Sequence, residues 1–166
     1  MEAKDLVRMY ERSYMGIKLN LRDVTEEDAR HEPPGDANSI GWVVGHLVMT
    51  RRLVLRTAGA EPVGDPALLE IYSGEEGVRF DRSRAFPLER LLADLDQSQE
   101  RLLAALAQLT PEALGAPVRN TTRGDILTFL SFHEGYHNGQ LGVLRRLVGK
   151  PGVIKQPKGL VTPQTA

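Results

Sequence analysis

His133-Glu134-Gly135-Tyr136-His137 places two imidazoles four residues apart in a segment of helical periodicity, and how that stretch is read decides the fold. At 3.6 residues per turn, positions i and i+4 share a face with their Cβ atoms roughly 5–6 Å apart, so two neutral imidazoles there can grip one divalent ion. Taken literally, the segment also matches the H-E-x-x-H pattern of zinc peptidases, whose glutamate is the general base. The chain has only 4 histidines, so two at this spacing call for an explanation.

The peptidase reading fails on its surroundings. It needs a third protein ligand beyond the motif, and no His, Asp or Glu follows His137 in this sequence. The stretch after His137 is also short for a substrate-binding subdomain. An upstream sheet, whose edge would hold an extended peptide, is not suggested by any segment. Glu134 therefore loses the role of general base. It is expected to be solvated or to stand behind the ligands, about 100° around the helix from His133.

Working outward, four long segments carry helical periodicity. The first runs from about Ala3 to Asp23, with Leu6, Met9, Tyr10, Tyr14, Ile17 and Leu21 near one stripe. The second runs from about Ser39 to Ala58, with Asn38 or Ser39 as N-cap and Gly59 at its end. The third begins at Pro87 as first helical residue and continues to Leu109, with a broad leucine face. The fourth follows Thr122, whose spacing to Asp125 fits a capping box, and stops near Val148 before Gly149.

Thr25–Asp28, Leu68–Tyr72 and Thr110–Glu112 read as short helical turns within the connections, and no strand pair is expected. The stretch from Ala60 to Phe86 is the longest connection and is rich in Gly and Pro. The expected fold is all-α: a four-helix bundle over residues 1–150, with a long crossover between the second and third helices. Residues 151–166 are expected to form a loosely ordered C-terminal tail.

Composition narrows the function classes. A chain of 166 residues with 41% hydrophobic and 26% charged residues is ordinary for one globular domain. A net charge of −1 gives no general attraction to nucleic acid or anionic membrane, so neither is expected as a partner. Cysteine is absent, which removes disulfides, thiolate ligands and a cysteine nucleophile. Any metal must be held by His, carboxylate or water. The charged N-terminus lacks a signal-peptide core, and no apolar run approaches the ~20 residues of a membrane span. A soluble, cytoplasmic protein is expected.

Facing helices commonly supply ligands to a metal site from separate stretches of sequence. The second helix offers His46 among Val43, Leu47 and Met49; the fourth offers His133 and His137. Gly41 with Gly45, and Gly135 with Gly139, cost about 1 kcal/mol each against alanine inside a helix. Close approach of the two helices would explain them and would bring the three imidazoles together. Three His with open positions suit Zn²⁺ or Ni²⁺. Glu134, Asn138 and Gln140 are candidates to orient the ligands from behind. Arg51, Arg52, Arg145 and Arg146 are weighed as anion-recognising groups near the site and, more simply, as surface charges. His31, in a Pro-rich loop, is left outside the site.

Two segments carry a resemblance. Asn38 to Leu47 (N-S-I-G-W-V-V-G-H-L) resembles the second-helix motif of the DinB/YfiT-like metalloenzyme superfamily. His133 to Leu141 (H-E-G-Y-H-N-G-Q-L), with Leu144-Arg145-Arg146 behind it, resembles its last-helix motif. The resemblance implies an up-down-down-up bundle, often a homodimer, with His46, His133 and His137 as metal ligands. It implies a metal-dependent hydrolase, or a transferase using bacillithiol, mycothiol or glutathione on a small-molecule substrate. The alternatives are a non-catalytic, stress-related metal- or ligand-binding bundle, and a metal that only staples two helices.

Overall fold

The computed structural model of the chain describes residues 2–35, 37–74 and 80–153. Most of the expected tail, from residue 154 onward, lies outside the described residues. Seven α-helices occur among the described residues: Ala3–Leu21 (α1), Glu26–Arg30 (α2), Ile40–Ala58 (α3), Leu68–Tyr72 (α4), Leu88–Leu106 (α5), Pro111–Gly115 (α6) and Arg123–Leu147 (α7). None of the described helices is long and apolar enough to cross a membrane.

The helix ends follow from local chemistry. Ser39 Oγ accepts the Trp42 amide hydrogen at 3.2 Å to open α3, and Gly59 closes it at φ 86°, a left-handed backbone that suits glycine. Thr122 and Asp125 form the expected capping box of α7. Pro87 is the N-cap of α5 and not its first helical residue, because its backbone is extended (ψ 143°) while its carbonyl accepts from Leu91. The far end of α5 tightens at Ala107–Leu109, where Gln108 and Leu109 bond three residues back, so the helix stops earlier than its leucine pattern suggests.

One small sheet also departs from expectation. Pro117–Val118 pairs antiparallel with Thr121–Thr122, turned by Arg119 at φ 54°, and leads directly into α7.

α1 packs against α5 and α7, and α3 packs against the same two. The buried apolar side chains fall into two clusters. One gathers Ile17, Val43, Leu47, Leu91, Leu95 and Leu141, and the other gathers Leu6, Val54, Leu55, Leu102, Leu106 and Leu127. Along α3, α5 and α7, residues between the two clusters include buried Arg51, Gln99 and Glu134. A polar layer thus interrupts the core midway along the long helices.

Candidate metal centre

His46 comes from the middle of α3, and His133 and His137 come from successive turns of α7. One ring nitrogen from each lies within 4.8 Å of the others. His133 Nε2 is 3.3 Å from His46 Nε2 and 3.1 Å from His137 Nε2. Two nitrogens sharing a tetrahedral ion at ~2.0–2.1 Å would lie about 3.3 Å apart, so the spacing suits a common ion.

The far side of each ring decides which nitrogen faces inward. His46 Nδ1 stands 2.7 Å from the Tyr72 carbonyl oxygen, which can only accept, so Nδ1 carries the proton and Nε2 keeps its lone pair. His137 Nδ1 is 2.7 Å from the side-chain oxygen of Gln140, with the same consequence. Two inward lone pairs therefore face His133 Nε2, which can donate one hydrogen at most. Without a cation, one of the two close contacts sets lone pair against lone pair. Protonation is a poor remedy. Burial is the main cause that holds all three imidazoles below the ordinary histidine range, taking His137 down to about 4. The bonds to Tyr72 and Gln140 pull upward, and neighbouring imidazoles push His46 and His137 down further. The donor set fits a divalent metal.

Packing fixes the rings. Trp42 stacks on His46 with centroids 4.8 Å apart and planes 10° from parallel, and Tyr136 meets His137 edge-on at 5.1 Å. Gly45 has no side chain where the Tyr72 ring lies, which lets α4 deliver its last carbonyl to His46. Gly74, at φ 69°, is packed so closely that a Cβ would sit 3.3 Å from Trp42 and 3.6 Å from His46. These contacts correct the expected use of the glycines. Gly45 admits Tyr72, Gly41 abuts the Ala29 carbonyl of α2, and Gly135 and Gly139 face open space. None of the four serves an α3–α7 approach.

The other candidate residues are distributed differently from expectation. Gln140 touches His137, as described. Asn138 turns to α1, where its Oδ1 accepts from Asn20 Nδ2 at 2.8 Å. Glu134 is not solvated: it is 0% exposed and forms a bidentate ion pair with Arg51 of α3, which is also 0% exposed. It faces the polar layer because one residue of helix turns it away from His133. Arg145 is likewise buried, donating to the carbonyls of Asn20, Arg22 and Pro151 around the end of α1. Arg52 holds the Val63 and Gly64 carbonyls, and exposed Arg146 lies beside Gly152. His31 is exposed at the end of α2. The sequence carries no signal for the role of Tyr72, because its contribution is a backbone carbonyl, which leaves no mark on residue type.

An apolar groove of about 500 Å³ reaches Tyr136 and Gln140, the two residues behind His137, and is lined also by Val43, Val143, Leu147 and Asn38, with none of the three histidines in its wall.

Residues 9–141 match the DinB superfamily, and the chain belongs to that superfamily. Solved structures of similar shape include a conserved protein from Enterococcus faecalis. It has a TM-score of 0.69 and 20% identity, over 90% of this chain and 99% of that one. Another is the colibactin self-resistance protein ClbS in complex with double-stranded DNA, at a TM-score of 0.61 and 21% identity, over 90% and 96% of the two chains. At such identities the likeness is one of fold. No curated protein matches the sequence.

Proposed function

We propose that this chain is a metal-dependent enzyme of the DinB type, in which His46, His133 and His137 hold one divalent ion, Zn²⁺ or Ni²⁺. The observation that carries the reading is the convergence of three imidazoles that no carboxylate or further histidine joins among the described residues. That donor set leaves positions for a small molecule. A bound ion would supply Lewis acidity, lowering the pKa of water or of a thiol such as bacillithiol, mycothiol or glutathione for attack on a small electrophile. The products would be those of hydrolysis or of thiol transfer.

The chain's own residues do the positioning. Tyr72 and Gln140 hold the two tautomers, and Trp42 and Tyr136 keep the rings from turning. The groove beside Gln140 offers apolar walls to the non-reacting part of a substrate, with Asn38 and Gln140 available to its polar groups.

The wider frame of the proposal is an up-down-down-up four-helix bundle over residues 1–150, acting in the cytoplasm. Its support is the order of the two apolar clusters: α1 and α7 meet them in opposite sequence to α3 and α5. A homodimer is part of the reading, since α7 presents Phe129 and Phe132 outward, neither of them in the groove. Exclusion of nucleic acid is not part of it, because the similarly folded ClbS is seen with double-stranded DNA. A second reading is a non-catalytic, stress-related bundle that captures a ligand at this site, and the self-resistance role in that protein's name suits it as well as it suits an enzyme.

The test is the metal content of purified protein by mass spectrometry, alongside His46→Ala. One ion per chain in the wild type and near none in the variant is expected. A wild type without stoichiometric metal, or full retention in the variant, sinks the proposal. Assays with the three thiols and with water then separate transfer, hydrolysis and capture.

A further inference from the structure

We infer that the Arg51–Glu134 ion pair is the positioning element that sets His46 against His133 and His137, and thereby governs how tightly the site holds metal. The inference rests on the metal reading above. Its basis is that the same two helices are joined twice. Glu134 directly follows His133 on α7, and Arg51 lies five residues after His46 on α3. The second joint therefore stands beside the first, within about 8 Å along either axis at 1.5 Å per residue.

The joint is a rigid one. Arg51 Nε and Nη2 both reach the Glu134 carboxylate, Nη2 at 2.9 Å, and two parallel bonds between planar groups remove the pivot that a single bond would leave. The guanidinium is itself held from the two remaining long helices. Its Nη1 donates to Gln99 Oε1 of α5 at 2.7 Å, and it lies 5.2 Å from the centre of the Tyr10 ring of α1. Tyr10 in turn donates to the Leu127 carbonyl of α7 at 2.8 Å.

Stability alone does not account for this arrangement, since replacing a buried ion pair by apolar side chains of similar volume is often neutral or favourable. Apolar faces tolerate small slides and rotations, whereas metal ligands must fall within about 0.2 Å of their distances. The glycines do not supply that precision, because none of the four lies between α3 and α7. The forked ion pair does.

Two variants of the full chain test this: Arg51→Lys, which keeps the charge and loses the fork, and the double replacement R51M/E134L, which leaves no unpaired charge. Zn²⁺ affinity is read by chelator competition, site geometry by the visible spectrum of the Co²⁺-loaded protein, and folding by urea unfolding of the metal-free protein. Expected for both folded variants is a loss of Zn²⁺ affinity of about tenfold or more, with a shifted or weakened Co²⁺ band. Metal-free stability of the double variant should stay at or above that of the wild type. Wild-type affinity and an unchanged Co²⁺ spectrum in Arg51→Lys overturn the inference, whether or not the double variant folds. A wild type that takes up neither ion overturns the metal reading itself, an outcome distinct from the first.

Discussion

Two polar clusters join α3 to α7, and they are opposites. In the Arg51–Glu134 pair, the buried carboxylate faces donors and the buried guanidinium faces acceptors, one of them Gln99 Oε1, although the Nε2 of that same Gln99 finds no partner among the described residues. In the His46–His133–His137 cluster, acceptor faces acceptor, and the buried Nδ1 of His133 finds no partner among the described residues. Buried charges that are paired hold a structure together, while converging lone pairs suit a cation.

That contrast can be broken by mutation. Glu134→Ala strands a buried guanidinium and should lower stability by about 3–5 kcal/mol, measured by urea unfolding of the metal-free protein. His133→Leu removes a member of the unsatisfied cluster and should move the same quantity by no more than about 1 kcal/mol. Equal losses in the two variants would mean that the histidine cluster is as structural as the ion pair.

Acid should sharpen the contrast next. Above pH 6.5, His137 is neutral both folded and unfolded and contributes nothing to pH dependence. As pH falls from 6.5 towards about 4, the unfolded chain takes up a proton that the buried ring refuses, so stability is lost through that window and levels off below it. The slope from this one group is at most about 1.4 kcal/mol per pH unit. His46 and His133 act in the same direction. Unfolding curves of wild type and His137→Leu at pH 7.5, 6 and 5 should diverge, with the variant less acid-sensitive; parallel curves would contradict the buried, neutral ring.

The smallest effect belongs to Gln140→Leu. It frees the His137 tautomer without touching an inward nitrogen, and Zn²⁺ affinity should fall roughly tenfold while metal-free stability holds. An unchanged affinity would show that packing by Tyr136 alone fixes the ring.

Much of this was legible in the chain because it is written in local chemistry. Ser39, Gly59, Thr122 and Asp125 mark helix ends through bonds to neighbours a few residues away, and the leucine spacing of α5 marks its inner face. The three histidines were legible from residue type and from the i, i+4 spacing. What stayed hidden depends on partners distant in sequence. A pairing of Arg51 with Glu134 across 83 positions has no periodic signal, and arginine is by habit a surface residue. The glycines announced close packing but not against which neighbour. Pairing of Pro117–Val118 with Thr121–Thr122 is too short to show an alternating pattern.

In the proposed metal centre, the bond from His46 to the Tyr72 carbonyl would tie the end of α4 to metal loading. The Nδ1–H of a loaded imidazole is a stronger donor, so occupancy and the local order of this connecting segment are thermodynamically linked. Linkage is reciprocal: whatever steadies α4 must tighten the site by the same factor that loading steadies α4. Slowed hydrogen exchange in Leu68–Tyr72 on addition of Zn²⁺ would make five residues that bind nothing themselves a gauge of the ion's grip.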